Sequence, residues 1–296
     1  MIDFLRYRLV CGIFSIALLM SFFGIYTYRY TTYGHGFTFS VDFTGGTQVH
    51  LKFKDPIGSD TLKAILEKNE WAGATIREFS PHESLIRIKG FESDITGLAS
   101  RIKDAILQEI PENEVTIMQI DSVGPGIGEA LRSKSIYMIL LALLIMLLYV
   151  GWRFWSFSFG IGAIVSLFHD AFIILLCFLL LDKEISINVI GAILAVLGYS
   201  INDTIVIFSR IRDNIRGMAH ESLDTIVNIS LNQTIKRTLL TSISTALVVI
   251  SLLVLGGETL RDLSLALLIG IIFGTYSSIY IASPVMLLLY GKAKHL

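Results

Sequence analysis

Six stretches of this 296-residue chain are long and apolar enough to cross a bilayer, and they limit what the chain can fold into. They run at about 9–27, 134–151, 157–181, 187–208, 239–256 and 263–290, each close to the ~20 residues a helix needs to traverse the hydrocarbon core. Hydrophobic residues make up 53% of the chain and charged residues 17%, against roughly 25% charged in soluble domains. The composition therefore excludes an ordinary soluble protein and predicts an integral membrane protein. The first run follows Arg6 and Arg8 as a signal peptide would, but it is about 18 residues long and lacks a small-residue cleavage site, so it is expected to be a retained span. Cys11 and Cys177 lie inside apolar runs and read as small packing residues, not as a disulfide or metal pair.

Basic residues divide unevenly between the segments that join these runs. One side holds Arg6 and Arg8, Arg153, then Arg210, Arg212, Arg216, Lys236 and Arg237, and finally Lys292 and Lys294; the short loops opposite hold only Lys183 and Arg261. Positive charge thus predicts cytoplasmic termini and an outer location for the long segment after the first span. The expected organisation is a cytoplasmic N-terminus and helix 1 over 1–27, a periplasmic or extracellular domain over 28–132, and helices 2–6 over 133–296. Leu223, Ile226, Val227 and Leu231 recur at helical spacing, which predicts an interfacial helix at about 219–232.

The outer segment mixes two periodicities. Phe37, Phe39, Val41 and Phe43 alternate, and Val49, Leu51 and Phe53 alternate again beyond Gly45 and Gly46, as strands joined by a tight glycine connection would. Ser59 or Asp60 caps a helix carrying Leu62, Ile65 and Leu66; strands follow at 74–79 and 84–89, a helix at 92–110 and a strand at 115–120. That βαββαβ order predicts an α+β ferredoxin-like domain inserted between helices 1 and 2 of an α-helical membrane protein. His35, His50 and His82 lack metal-ligand spacing, no cofactor motif is present, and nothing reads as catalytic. Edge strands would suit such a domain to an extended chain. It ends in VGPGIG, where Gly124, Pro125, Gly126 and Gly128 form either a plain connector or a hinge.

Asp203 is an expensive residue for an apolar run. Within Gly198–Arg216, GYSINDTIVIFSRIRDNIR, it and Asn202 sit in the fourth apolar run, where a carboxylate costs roughly 3 kcal/mol on insertion scales. A polar contact between helices, a helix ending at Tyr199 and a working charge are the three readings. Arg237 enters the fifth run at similar depth, followed along one stripe by Thr238, Thr241 and Thr245 after Thr234. Low dielectric favours a protonated carboxyl and a guanidinium favours the ionised one, so such a pair is poised to exchange a proton. One proton crossing 150–200 mV releases roughly 3.5–4.6 kcal/mol, enough to bias a two-state equilibrium a few hundredfold to about two thousandfold. The third run carries His169 and Asp170, about 100° apart on a helix, with structural and proton-path readings both open. No GxxxxGK loop occurs, so ATP is not the expected energy source.

At this point VDFTGGT (41–47), VGPGIG (123–128), GYSINDTIVIFSRIRDN (198–214) with LNQTIKRTLLT (231–241), and GTYSSIYIASP (274–284) are in view. Together they resemble the SecD/SecF family of protein-export membrane subunits, within the RND superfamily, and its SecF branch in particular. The motifs occur in order on both membrane halves and the outer domain, and His169 and Asp170 fit the family's HD pair. The resemblance implies proton-motive-force-driven late translocation of unfolded preprotein across the bacterial inner membrane. It implies SecD and the SecYEG translocon as partners, with YajC and YidC as further candidates. It also implies a proton path through Asp203, Arg237, Asp170, His169 and Asn202, completed by an acidic residue of SecD. Gly198, Ser200, Thr238, Thr241, Gly274, Ser277 and Ser278 are the expected helix-packing positions. Ser209 departs from the family's acidic residue, removing a charge beyond Asp203, and Ala171 departs after the HD pair. A passive scaffold remains an alternative. A small-molecule RND exporter is disfavoured because such chains carry about twelve spans.

Overall fold

The computed structural model describes residues 2–88, 94–124, 126–218 and 220–293, without the side chains of 258, 259, 292 and 293. The chain divides into two units, Met1–Thr38 with Tyr137–Leu296, and Phe39–Ile136. A 3-10 turn at Leu5–Tyr7 opens the first helix, α1 (Arg8–Tyr33), which continues past its apolar run to Gly34, a glycine in the left-handed region (φ 76°) that ends it. The 28–132 boundary therefore falls inside α1, because Tyr28 to Tyr33 extend the helix beyond its most apolar part.

The second unit contains α2 (Val41–Thr44), β1 (Gly46–Phe53), α3 (Ser59–Lys68), β2 (Thr75–Ser80), β3 (Glu83–Ile88), α4 (Ile95–Glu109) and β4 (Val115–Val123). The sheet order is β2-β3-β1-β4, all antiparallel, which is the ferredoxin-like topology. Val49, Leu51 and Phe53 of β1 are buried against Leu62 and Leu66 of α3 and Leu98, Ile102 and Ile106 of α4, so the alternation read from the sequence marks the core face. The strand expected over Phe37–Phe43 is not formed in that way. Ser40 instead accepts a hydrogen bond from the Asp42 amide and caps a single helical turn, α2. Nor do Ser59 and Asp60 cap α3; Gly58 occupies that position and they form its first turn. Residues 92 and 93 of the expected second helix lie outside the described residues, and α4 is capped by Asp94.

The two glycine motifs of the outer segment meet. Gly45 and Gly46 have φ of 72° and 107°, and Gly46 pairs with Val123 at the end of β4. A Cβ on Gly128, in the first turn of α5 (Ile127–Phe154), would stand 2.8 Å from the Phe43 carbonyl and 2.9 Å from the Gly45 nitrogen. Gly126 adopts φ 84° and Pro125 lies outside the described residues. Gly128 is thus a close-packing glycine within this unit.

The rest of the first unit is α6 (Phe157–Leu180), α7 (Ile187–Gly217), α8 (Leu223–Leu255) and α9 (Gly257–Ser277), then a π-helical turn (Ser278–Ala282) running into α10 (Ser283–Ala293). Among the described residues six helices are long and apolar enough to cross a membrane. In α6 and α7, 61% and 56% of the most apolar window is buried, against 11% for α1 and 17% for α5 and for α8; α6, α7 and α9 therefore form the bundle's centre. Close approach there rests on glycine. A Cβ on Gly162 would lie 2.7 Å from the Ala282 carbonyl, and one on Gly270 would overlap Val196.

The interfacial helix expected at about 219–232 is not a separate element. Leu223, Ile226, Val227 and Leu231 belong to the first turns of α8, which runs unbroken for 33 residues. At 1.5 Å per residue that is about 50 Å, well beyond the ~30 Å hydrocarbon core. Its extra turns hold the N-terminus. Asn232 accepts from the Ile2 amide (2.7 Å), Asn228 accepts from the Phe4 amide (2.9 Å), both side chains donate to the Ile2 carbonyl, and Asp224 pairs with Arg8. Asp224, Asn228 and Asn232 recur every fourth residue, so one face of α8 carries the whole clamp.

Candidate functional site

Two carboxylates lie inside the bundle, on adjacent helices and in different settings. Asp170 of α6 is fully buried. Its Oδ2 accepts hydrogen bonds from Ser200 of α7 (2.7 Å) and Ser277 of α9 (2.9 Å), and its Oδ1 is 3.3 Å from His169 Nδ1. One side chain therefore joins three helices. Gly274 makes room for this: a Cβ there would stand 3.0 Å from Ser200 Cβ and 3.6 Å from Asp170 Oδ2. Below it Thr204 donates to Ser278 (3.1 Å). Ser278 starts the π turn, where Pro284 has no amide to return to Tyr280 and Ser283 donates instead to the Ser278 carbonyl (3.0 Å). His169, beside Asp170 in sequence, turns toward the rings of Phe273 and Tyr276; the two side chains touch each other but have separate surroundings.

Asp203 lies one helical turn beyond Ser200 on α7 and is 4% exposed. Ser242 of α8 is beside its carboxylate and is itself 2.7 Å from Thr275 of α9. One carboxylate oxygen, Oδ2, is buried with no hydrogen-bond partner among the described residues, and so is the hydroxyl of Thr238. Arg237 acts on the carboxylate electrostatically, but it is exposed, and among the described residues no ion pair within 4 Å involves Asp203. The direct pair is not formed, and Arg237 is exposed. Asn202 is also exposed.

Other expectations divide in the same way. Ser200, Thr238, Gly274, Ser277 and Ser278 are buried or packed between helices, whereas a Cβ on Gly198 would meet nothing within 4 Å and Thr241 is exposed. The threonine stripe splits: Thr234 and Thr238 are buried, Thr241 and Thr245 bond their own helix carbonyls. The buried track on α8 is 234, 238 and 242, in steps of four. That step was readable in the sequence and would have found Ser242; Thr275 had no such signal. Beyond Asp203, Arg210 donates to Gln233 of α8 (2.6 Å), and the Asn214 amide donates to Ser230 and Gln233 (2.8 Å each). Among the described residues no three His, Cys, Asp or Glu side chains converge to hold a metal ion.

Six spanning helices, a ferredoxin-like domain inserted after the first, and polar clusters inside the bundle define a class: a multi-pass membrane protein with a transporter-like core. The profile of "Protein export membrane protein SecD/SecF, C-terminal" matches residues 102–292, and that of the "SecD/SecF GG Motif" matches residues 33–57. The chain belongs to the SecD/SecF family. It is 36% identical to protein translocase subunit SecF of Thermodesulfovibrio yellowstonii, over 98% of this chain and 95% of that one. It is likewise 36% identical to the SecF subunit of Pseudomonas aeruginosa, over 97% and 90%. The crystal structure of SecDF from Thermus thermophilus, a translocon-associated membrane protein, superposes with a TM-score of 0.85 at 34% identity; it covers 98% of this chain but only 39% of that longer one.

Proposed function

We propose that this chain is the SecF-type half of a SecDF-like assembly that uses the proton-motive force to promote late preprotein translocation beside a SecYEG translocon in the bacterial inner membrane. It works with a SecD-type partner. Its termini face the cytoplasm and its ferredoxin-like domain faces outward. Asp203 is the proton carrier, and Arg237 lies outside direct contact as a counter-charge that helps release the proton. Asn202, His169 and Asp170 line the rest of the path, with the glycines around 124–128 as the link to the outer domain.

The observation that carries this reading is Asp203 Oδ2, a buried oxygen with no partner in a helix long enough to span the membrane. An unsatisfied buried carboxylate oxygen costs roughly 1–3 kcal/mol or more, and retaining it makes sense where a proton, water or a partner's side chain occupies the position. The Thermus thermophilus relative supports the SecD-type partner, because its chain is more than twice as long as the part matched here. Asp203→Asn in cells co-expressing the SecD-type partner should abolish proton-dependent stimulation of secretion while the complex is recovered in undiminished yield. Full secretion by the variant would sink the proton-carrier role. Loss of the complex in step with secretion would favour a scaffold.

A further inference from the structure

On the side of the bundle formed by α1, α6 and α10, a groove of about 730 Å³ runs between Arg8 and Phe23 on α1. Those residues are 15 apart, so the groove is about 22 Å long at 1.5 Å per residue. Its length and apolar lining suit a hydrocarbon chain, and the cation at its end suits a lipid phosphate, which an apolar partner helix would not supply. The volume is within the roughly 300–1,000 Å³ of pre-formed ligand sites.

Two polar features mark the groove. Arg8 at one end is its only charged residue, and its side chain is 42% exposed even while paired with Asp224. Midway, the groove is lined by His169, 97% buried by the 3% exposure of the residue, whose Nε2 has no hydrogen-bond partner among the described residues. The wall opposite α1 includes Tyr280 and Pro284, from the π turn and the residue that enforces it. Elsewhere the lining is aliphatic and aromatic, and the helices that form it are of spanning length, so hydrocarbon is the medium outside it.

We propose that this groove is a phospholipid site: one acyl chain lies along α1 past His169, and the lipid phosphate rests against Arg8 at the membrane surface. Arg forms bidentate, charge-assisted hydrogen bonds to phosphate. The seated chain covers the imidazole.

The test uses the full chain in vesicles of phosphatidylethanolamine and phosphatidylglycerol containing phosphatidylglycerol with a diazirine on its acyl chain, with adducts mapped by mass spectrometry. Label on groove residues such as Val165 and Phe168 should exceed label on the more exposed residues Leu144 and Leu247 by about tenfold, a preference of about 1.4 kcal/mol. Gly12 lines the groove and a Cβ there meets nothing within 4 Å, so Gly12→Phe fills the slot from its wall. It should bring groove labelling down to the Leu144 background with thermal unfolding unchanged. Arg8→Gln should lower groove labelling severalfold, whereas Asp224→Asn, which breaks the same ion pair but keeps the cation, should not. Uniform labelling, or unchanged labelling in Gly12→Phe, would overturn the site. Equal losses in Arg8→Gln and Asp224→Asn would overturn the assignment of the phosphate to Arg8.

Discussion

Asp170 and Asp203 are both more than nine-tenths buried, on adjacent helices of one bundle, and their surroundings differ in kind. Asp170 is enclosed by Ser200, Ser277 and His169 from three segments, with a glycine holding the space open. Asp203 has Ser242 nearby, a buried oxygen with no partner among the described residues, and its candidate counter-charge Arg237 exposed. A buried carboxylate with both oxygens paired fixes one arrangement of helices. A half-satisfied one leaves a place for something to arrive. On the reading proposed for Asp203, the difference separates a tighter tie from a site of exchange, although the sequence presents both residues in the same way, as an acid in an apolar run.

That contrast sets the size of the effects to expect. Asp170→Leu removes the acceptor shared by two serines and an imidazole; with unsatisfied buried groups worth about 1–3 kcal/mol each and some rebonding to helix carbonyls, it should cost about 2–4 kcal/mol. Thermal unfolding of the purified chain in detergent measures it, and Asp170→Asn, which keeps an acceptor, should lose much less. An Asp170→Leu variant as stable as the parent would show that the three-helix tie holds nothing together.

Next in size is the packing that supports the tie. Gly162→Leu places a side chain where a Cβ alone would be 2.7 Å from a backbone carbonyl, and overpacking of this kind costs about 1–3 kcal/mol. Gly198→Leu, on the same bundle but with no neighbour within 4 Å, should stay within about 0.5 kcal/mol. Equal losses at the two positions would mean that the central helices do not approach as described.

The six spans and the ferredoxin-like core were legible because their signals are local. Apolar length identifies a span, and the alternation of Val49, Leu51 and Phe53 identifies a strand face whatever surrounds it. The misread segments are those where a local pattern has two physical meanings. Phe37 to Phe43 alternate as a strand would, but Ser40 caps a turn and the glycines that follow take positive φ. Leu223 to Leu231 are amphipathic as a surface helix would be, yet their polar neighbours Asp224, Asn228 and Asn232 bind the N-terminus and the helix continues into the membrane. At the site, residue types were readable, and orientation was not. Whether Arg237 turns toward Asp203 or outward, and whether Ser242 or Thr241 lies inside, depends on the rotation of α8 about its axis, which tertiary packing sets.

The smallest structural effect should accompany the largest functional one. Because Asp203 Oδ2 has no partner to lose among the described residues, Asp203→Asn should change stability by less than about 1 kcal/mol, although it removes the group proposed to accept the proton. Proton flux across proteoliposomes containing this chain with its SecD-type partner, under an imposed proton gradient and compared between parent and Asp203→Asn, tests the account most directly. The account predicts partner-dependent flux in the parent that falls to the level of empty vesicles in a variant that remains folded and assembled. Undiminished flux in that variant would contradict it.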